Sequence, residues 1–237
     1  MESTGYVTLT RQSGLMREME LIAHNIANSA TTGFRQQGLV FSEYIESVKG
    51  GESISMAAAR VKKTSLAQGI LTQSGNVLDL AIEGNGYFQI ESPNGNRLTR
   101  AGAFNVDAAG DIVSPDGYRL LDAGGAPINV PPGESDIKIA SDGTISIGDR
   151  LLGQIGLVEP EPGANLERET GVLFKTDAEL LPSDTGKVLQ GHLEGSNVDA
   201  ISQLTRMIEV QRSYEMGQKL LDMQHERSTT ALKTLIK

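Results

Sequence analysis

Three histidines, His24, His192 and His225, are the side chains best suited to proton transfer or metal ligation near neutral pH. They lie far apart, and none sits at i, i+4 to another histidine. His225 has Glu226 beside it, but adjacent residues on a helix face different directions. His24 and His225 therefore read as helix-surface residues. Carboxylates are plentiful, yet no spacing sets two of them across a cleft. The aspartates of Asp107–Asp111 and Asp142-Gly143 are too sparse for a calcium loop and read as turn formers. Gly84-Asn85-Gly86 opens like a dinucleotide fingerprint, but Gln89 stands where the third glycine belongs and no helical pattern follows. No Gly-x-Ser-x-Gly elbow and no phosphate-binding loop occurs. The absence of cysteine excludes a thiol nucleophile, a thiolate zinc site, an iron–sulfur cluster and a disulfide scaffold. No catalytic, cofactor-binding or metal site is expected from these residues, which leaves an enzyme unsupported though not excluded.

The elements of the chain show in the composition. All 8 prolines of the 237 residues fall between Pro93 and Pro182, and about half of the 27 glycines are similarly confined, between Gly84 and Gly156. The two ends are free of proline. The net charge of −9 also resides in the middle, residues 51–196, while the two ends are close to neutral. An acidic surface without a basic stripe argues against nucleic acid or an anionic membrane as partner. Apolar runs are only a few residues long, so no membrane-inserted helix is expected. Met1–Leu15 carries no charged cluster leading into an apolar run, so no cleaved signal peptide is expected.

The N-terminal end predicts a helix from about Tyr6 to Ala30. Leu15, Met19, Ile22 and Ile26 recur at alternating spacings of four and three, and the same register continues up through Gln12 and Thr8. The helix is expected to close near Thr31-Thr32-Gly33. The C-terminal end predicts a longer helix reaching Lys237, opened by Ser196 with Asp199 as a capping box or by Asn197 as an alternative cap. Its seam runs Met207, Val210, Tyr214, Gly217, Leu221 and onward, with glycine, glutamine and serine interrupting the apolar positions. A helix of that length spans roughly 60 Å. Such weak seams are marginal alone in water, so the ends pair either with each other or with neighbouring chains.

The middle predicts short strands: Asp79–Ile82, Tyr87–Glu91, Arg97–Thr99, Phe104–Val106, Asp111–Val113, Tyr118–Leu121, Ile128–Val130, Ile137–Ala140, Thr144–Ile147 and Leu151–Val158. Pro93-Asn94-Gly95 and Pro115-Asp116-Gly117 are strong turn signals between them. From Gly33 to Leu66 the signal is poor, with Gly50-Gly51 reading as a flexible connection. The expected fold is α+β, with discontinuous N- and C-terminal coiled-coil helices around a β-rich central domain. The expected divisions are an N-terminal helix over 1–35, a linker or extended segment over 36–75, the β-rich domain over 76–185, and a linker with the C-terminal helix over 186–237.

Three blocks, in order along the chain, are similar to one family. Asn25-Ile26-Ala27-Asn28 followed by Thr31-Thr32-Gly33-Phe34-Arg35 resembles the N-terminal signature of the flagellar axial proteins, which include rod, hook and hook-associated subunits. Gly69–Phe88, Thr99–Phe104 and Gly110–Tyr118 resemble the entry to their β domain. Gly191–Asp199 with Met207–Glu215 resembles their C-terminal helix. The β region is too small for the larger hook subunit, and the stretch from Phe34 to Ala67 is short, which fits a proximal rod subunit better than a distal one.

That resemblance implies a structural subunit and not an enzyme. It implies export unfolded through the flagellar type III apparatus, followed by helical assembly with other proximal and distal rod subunits. Both terminal helices would join an inner coiled-coil tube, with the β domain outside. The residues expected at subunit interfaces are Leu15, Met19, Ile22, Asn25, Ile26, Asn28, Gly33 and Phe34 from the first end. From the second they are Met207, Val210, Gln211, Tyr214 and Leu221. Asn25, Asn28 and Gly33 are expected to set the junction between helix and β domain. The rival from another class is a secreted β-rich binding module on a coiled-coil stalk, which would need more exposed aromatics than this chain has.

Overall fold

A computed structural model of the chain describes residues 2–46, 54–131 and 136–235. Gly50-Gly51 lies outside the described residues. Two helices flank a β-rich region, so the fold is α+β. The chain divides into two compact units. Unit 1 holds residues 1–29, 36–65 and 198–237, and unit 2 holds residues 30–35 and 66–197.

In unit 1, helix α1 spans Glu2–Ala27, and helix α2 spans Ala200–Leu235. Strands β1 (Gln37–Glu46) and β2 (Ile54–Thr64) pair antiparallel as a ribbon, with a register shift between Val40 and Phe41. The segment read from sequence as a linker or extended segment over 36–75 holds these two paired strands. Its strands follow no clean apolar alternation and lack the proline-glycine punctuation that marks strands elsewhere, so the period-two signal was absent. The helices run antiparallel and touch between residues 12–25 of α1 and 203–214 of α2. Gln12 meets Tyr214, Glu18 meets Arg206 and Asn25 meets Gln203, with one set of numbers rising as the other falls.

The start of α2 differs from the sequence expectation. Asp199 is the cap: its Oδ1 accepts the backbone N–H of Ile201 at 3.1 Å, and its Oδ2 accepts the Ser202 hydroxyl. Gln203 N–H donates to the Asp199 carbonyl at 3.0 Å, closing the first turn. Asn197 is used elsewhere, donating through Nδ2 to the Ala67 carbonyl at 2.7 Å. Asp199 wins because its carboxylate reaches two donors of the first turn at once.

Unit 2 is antiparallel throughout its named strand pairs. In chain order its strands are β3 (Leu71–Gln73), β4 (Leu80–Glu83), β5 (Tyr87–Ser92), β6 (Gly95–Thr99), β7 (Asn105–Val106), β8 (Ile112–Val113) and β9 (Arg119–Leu120). There follow β10 (Ile137–Ile139), β11 (Thr144–Ile147), β12 (Arg150–Gln154) and β13 (Leu157–Pro160). The last are β14 (Glu167–Arg168), β15 (Leu173–Lys175), β16 (Leu180–Pro182), β17 (Lys187–Gln190) and β18 (His192–Glu194). The main sheet orders β14-β15-β6-β5-β9-β8-β7, with β13 joining β5 and β16. β10-β11-β12 form a separate meander, and β17 pairs β4 while β18 pairs β3.

Nine of the ten strands expected from sequence coincide with strands of unit 2. Ile128–Val130 contributes only an isolated bridge, Asp111 to Asn129. The run Leu151–Val158 divides into β12 and β13, because at Ile155 and Gly156 the chain leaves the meander and bonds to Asp122 and Leu121. Strands β3 and β14 to β18 match none of the expected ones. β18 pairs with β3, so unit 2 reaches beyond the expected 76–185 at both ends.

The core of unit 2 is aliphatic and small. Leu80, Ile82, Phe88, Ile90, Phe104, Ile112, Leu120 and Ile145 are buried together. Phe88 and Phe104 meet edge to face with centroids 5.5 Å apart. Two rings at that geometry add about 0.5–1.5 kcal/mol beyond the area they bury, which matters in a chain with only 4% aromatic residues.

Candidate functional site

The sequence-selected residues fall into two groups, one in each unit. In unit 1 they lie on α1 and α2, with Asn28 just past the end of α1. Ile22 and Val210 are buried, while Leu15, Met19, Ile26, Met207, Tyr214 and Leu221 are half-buried. Gln211 is exposed and donates to Glu215 within α2 at 3.2 Å. It stands apart from the buried face.

Asn25 is fully buried and ties three elements of unit 1 together. Its Nδ2 donates to the Gln37 carbonyl at 2.8 Å and to Gln203 Oε1 at 3.2 Å, and its Oδ1 accepts the Gln37 N–H at 3.1 Å. A primary amide offers the same donor and acceptor as a backbone strand, so it can extend the ladder where β1 begins. Asn28 does something different. Its Nδ2 donates to the His24 carbonyl at 2.8 Å, a second bond to a carbonyl that also accepts the Asn28 backbone N–H at 3.2 Å. The two asparagines share a spacing but not a role.

Gln12 and Gly217 meet in the same seam. Gln12 is buried, and its Nε2 donates to the Tyr214 carbonyl at 2.8 Å. A Cβ on Gly217 would overlap that amide nitrogen. The two positions that looked weakest in their separate seams thus form a knob and its notch. Gln12 Oε1 is left without a hydrogen-bond partner, which makes this layer costly as well as specific.

In unit 2, the Gly33-Phe34-Arg35 sequence forms a buried junction. Gly33 adopts φ +69°, and a Cβ there would overlap the backbone of Ala101, so only glycine fits. Phe34 is fully buried beneath the Arg168 guanidinium, 4.1 Å from the ring centroid. Arg35 and Glu194 are each only 1% exposed and pair at 2.7 Å. Glu194 also binds Arg100 Nη1 at 3.2 Å through its other oxygen. Its Oε1 accepts the Gly69 N–H at 2.9 Å as well. One carboxylate thus serves two buried guanidiniums.

Burial pushes the Arg100 guanidinium below its ordinary value, and the Glu194 charge opposes that shift. Desolvation alone holds Arg168 down to about 10, so it remains charged at neutral pH. Removing one partner of a buried ion pair costs on the order of 3–5 kcal/mol, since the other charge is left without compensation.

Arg35, Arg100 and Glu194 lie in the family-like blocks and Gln12 and Gly217 in the helix seams, but none of these, nor Arg168, was chosen from sequence as a site residue. Nothing in the sequence could mark these charges as buried, since charged residues read by default as solvated. Among the described residues, no three His, Cys, Asp or Glu side chains stand together to hold a metal. His24 and His225 are exposed on their helices, and His192 Nδ1 lies 2.8 Å from the Gln190 carbonyl. No described helix is long and apolar enough to cross a membrane.

A unit of two helices and a ribbon, and a β-rich unit that carries the buried Gly33-Phe34-Arg35 motif, fit one class, a structural subunit of the flagellar axial type. Residues 81–147 match the flagellar hook protein FlgE/F/G D1 domain, and residues 189–234 match the flagellar basal body rod FlgEFG protein C-terminal domain. The chain is 37% identical to the flagellar basal-body rod protein FlgF of Mesorhizobium japonicum, covering 99% of this chain and 98% of that one. It is 32% identical to the FlgF of Caulobacter vibrioides over the same shares. Identity to the flagellar basal-body rod protein FlgG of Bacillus subtilis is 32%, over 93% of this chain and 94% of that one. The chain belongs to the flagellar basal-body rod protein family, and it is a structural subunit of the basal-body rod.

Proposed function

We propose that this chain polymerises through α1 and α2 in the proximal part of the rod. There its helices join those of neighbouring rod subunits in a coiled-coil tube that encloses the export channel and transmits torque. It reaches that place unfolded, through the flagellar export apparatus. No part of this role requires a reaction.

The supporting observation is the side of α2 turned away from α1. Ile201, Leu204 and Ile208 recur at spacings of three and four, opposite Val210 and Tyr214 on the helix, and Ile201 is 77% exposed. Met216 and Met223 extend the exposed apolar surface, and Leu9 and Met16 are exposed on α1. A lone chain leaves this surface in water, at about 25 cal/mol per Å². Neighbouring helices would cover it. The half-buried residues Leu15, Met19, Ile26, Met207, Tyr214 and Leu221, with exposed Gln211, complete the proposed interface. Ile22, Val210, Asn25 and Asn28 act chiefly within the subunit, and Gly33 and Phe34 act in the junction of unit 2.

The triple substitution Ile201→Asp, Leu204→Asp, Ile208→Asp tests this. The expected result is a folded, stable monomer that no longer supports rod assembly or motility. Full motility from the triple variant would overturn the proposal. The FlgG relative at 32% identity supports a second reading, a distal position in the same rod. Mapping this subunit's neighbours in isolated basal bodies separates the two.

A further inference from the structure

We propose that Glu194 is a clasp that holds residues 30–35 in unit 2 and whose loss releases that segment while the sheet stays folded. The inference concerns a joint within unit 2 and goes beyond the rod reading.

Residues 30–35 are remote in sequence from the remainder of unit 2, which resumes at Leu66. They form no strand and join no sheet. Arg168 stacks on Phe34 and donates to the Arg35 carbonyl, and the other polar contacts that hold the segment gather at Glu194 and its neighbours. The Gly33 N–H donates to the Glu194 carbonyl at 2.7 Å, and the Arg35 guanidinium binds the Glu194 carboxylate at 2.7 Å. Three residues further along, the Asn197 N–H donates to the Phe34 carbonyl at 3.2 Å. The same carboxylate also fixes Gly69, so it gathers the segments at 33–35, at 66–69 and at 194–197.

The two arginines on this carboxylate are not held equally. Arg100 sits beside β6 and also donates to the Ile82 carbonyl at 3.3 Å and the Gly84 carbonyl at 2.7 Å. Arg35 donates otherwise to the Ala67 carbonyl. Each guanidinium has a buried Nε without a partner, so neither has a reserve of bonds. Without the carboxylate, two like charges face each other in a buried site. Arg100 keeps its anchors in the sheet. Arg35 is carried by a short peptide, and moving that peptide to water relieves both the repulsion and the desolvation. The asymmetry makes the junction a two-position element and not a general weak point.

The test uses the full chain carrying Glu194→Gln, with trypsin and amide exchange as readouts. In the parent chain Arg35 is buried, so the Arg35-Gln36 bond should resist cleavage. The expected result is cleavage there accelerated by tenfold or more, with faster exchange at Gly33 and Phe34. The Arg100-Ala101 bond and the amides of β5 and β6 are expected to keep their protection. Unchanged cleavage at Arg35 would overturn the clasp. Loss of protection through β5 and β6 in step with Arg35 would also overturn it, since Glu194 would then be an ordinary core residue. Arg35→Gln gives an independent reading, because it leaves the Glu194–Arg100 pair in place. It should release Gly33 and Phe34 with the sheet intact, and unaltered exchange at those two amides would count against the proposal.

Discussion

The side-chain amide of Asn25 pairs with both backbone groups of Gln37, accepting its N–H at 3.1 Å and donating to its carbonyl at 2.8 Å. A helix residue here completes the hydrogen bonding of a strand end. The same amide reaches Gln203 on α2, so three elements of unit 1 depend on one side chain.

Asn25→Ala should destabilise unit 1 by about 2–4 kcal/mol, since two buried backbone groups lose their partner at about 1–3 kcal/mol each. Asn25→Asp should be at least as damaging, because a carboxylate would face the Gln37 carbonyl. Chemical unfolding followed by the helical circular dichroism signal checks both. A loss below about 0.5 kcal/mol, the scale of a plain surface change, would show that water replaces the amide at no cost.

The Gln12–Gly217 notch makes a signed prediction. Gly217→Ala adds about 1 kcal/mol of helix propensity. It also displaces the Gln12 amide from the Tyr214 carbonyl, at a cost of about 1–3 kcal/mol. The net effect should be a destabilisation of about 1 kcal/mol in the parent, turning to stabilisation in a Gln12→Ala background. Stabilisation in both backgrounds would mean that the notch does not constrain the pair.

The α2 cap should be sensitive to acid. The Ser202 hydroxyl, and then the Ile201 N–H, hold the Asp199 carboxyl below its ordinary value of 3.8. A carboxylate depressed in the folded state stabilises fully above the unfolded value, and that support is lost as pH falls through the folded one. The first turn of α2 should therefore stay ordered down to about pH 4 and fray below it. A carboxyl titration by nuclear magnetic resonance should find Asp199 below 3.8, and Ser202→Ala should raise it. A value unaffected by Ser202→Ala would remove the hydroxyl as the main cause.

The sequence showed some of this and hid the rest, for physical reasons. Pro93-Asn94-Gly95 and Pro115-Asp116-Gly117 mark turns because their backbone preferences are local, so the central strands were readable. Both helices were readable from their three-four periodicity. The β1–β2 ribbon was not, because its strands follow no clean apolar alternation and Gly50-Gly51 alone reads as a flexible connection. Gln12 and Gly217 each looked like defects, and only their meeting across the seam makes them complementary. The Arg35–Glu194–Arg100 cluster was hidden most deeply, since burial of a charge is decided by tertiary contacts separated widely in sequence.

The central claim is that the outward face of α2 is where this subunit meets its neighbours in the rod. Its most direct test places a photo-crosslinking amino acid at Ile208, and separately at Val210, in a flagellated cell assembling this subunit. Ile208 is exposed and Val210 is 2% exposed. The probe at Ile208 should capture other rod subunits, and the probe at Val210 should react only within its own chain. Intrachain products alone from Ile208, in cells that build complete rods, would contradict the account.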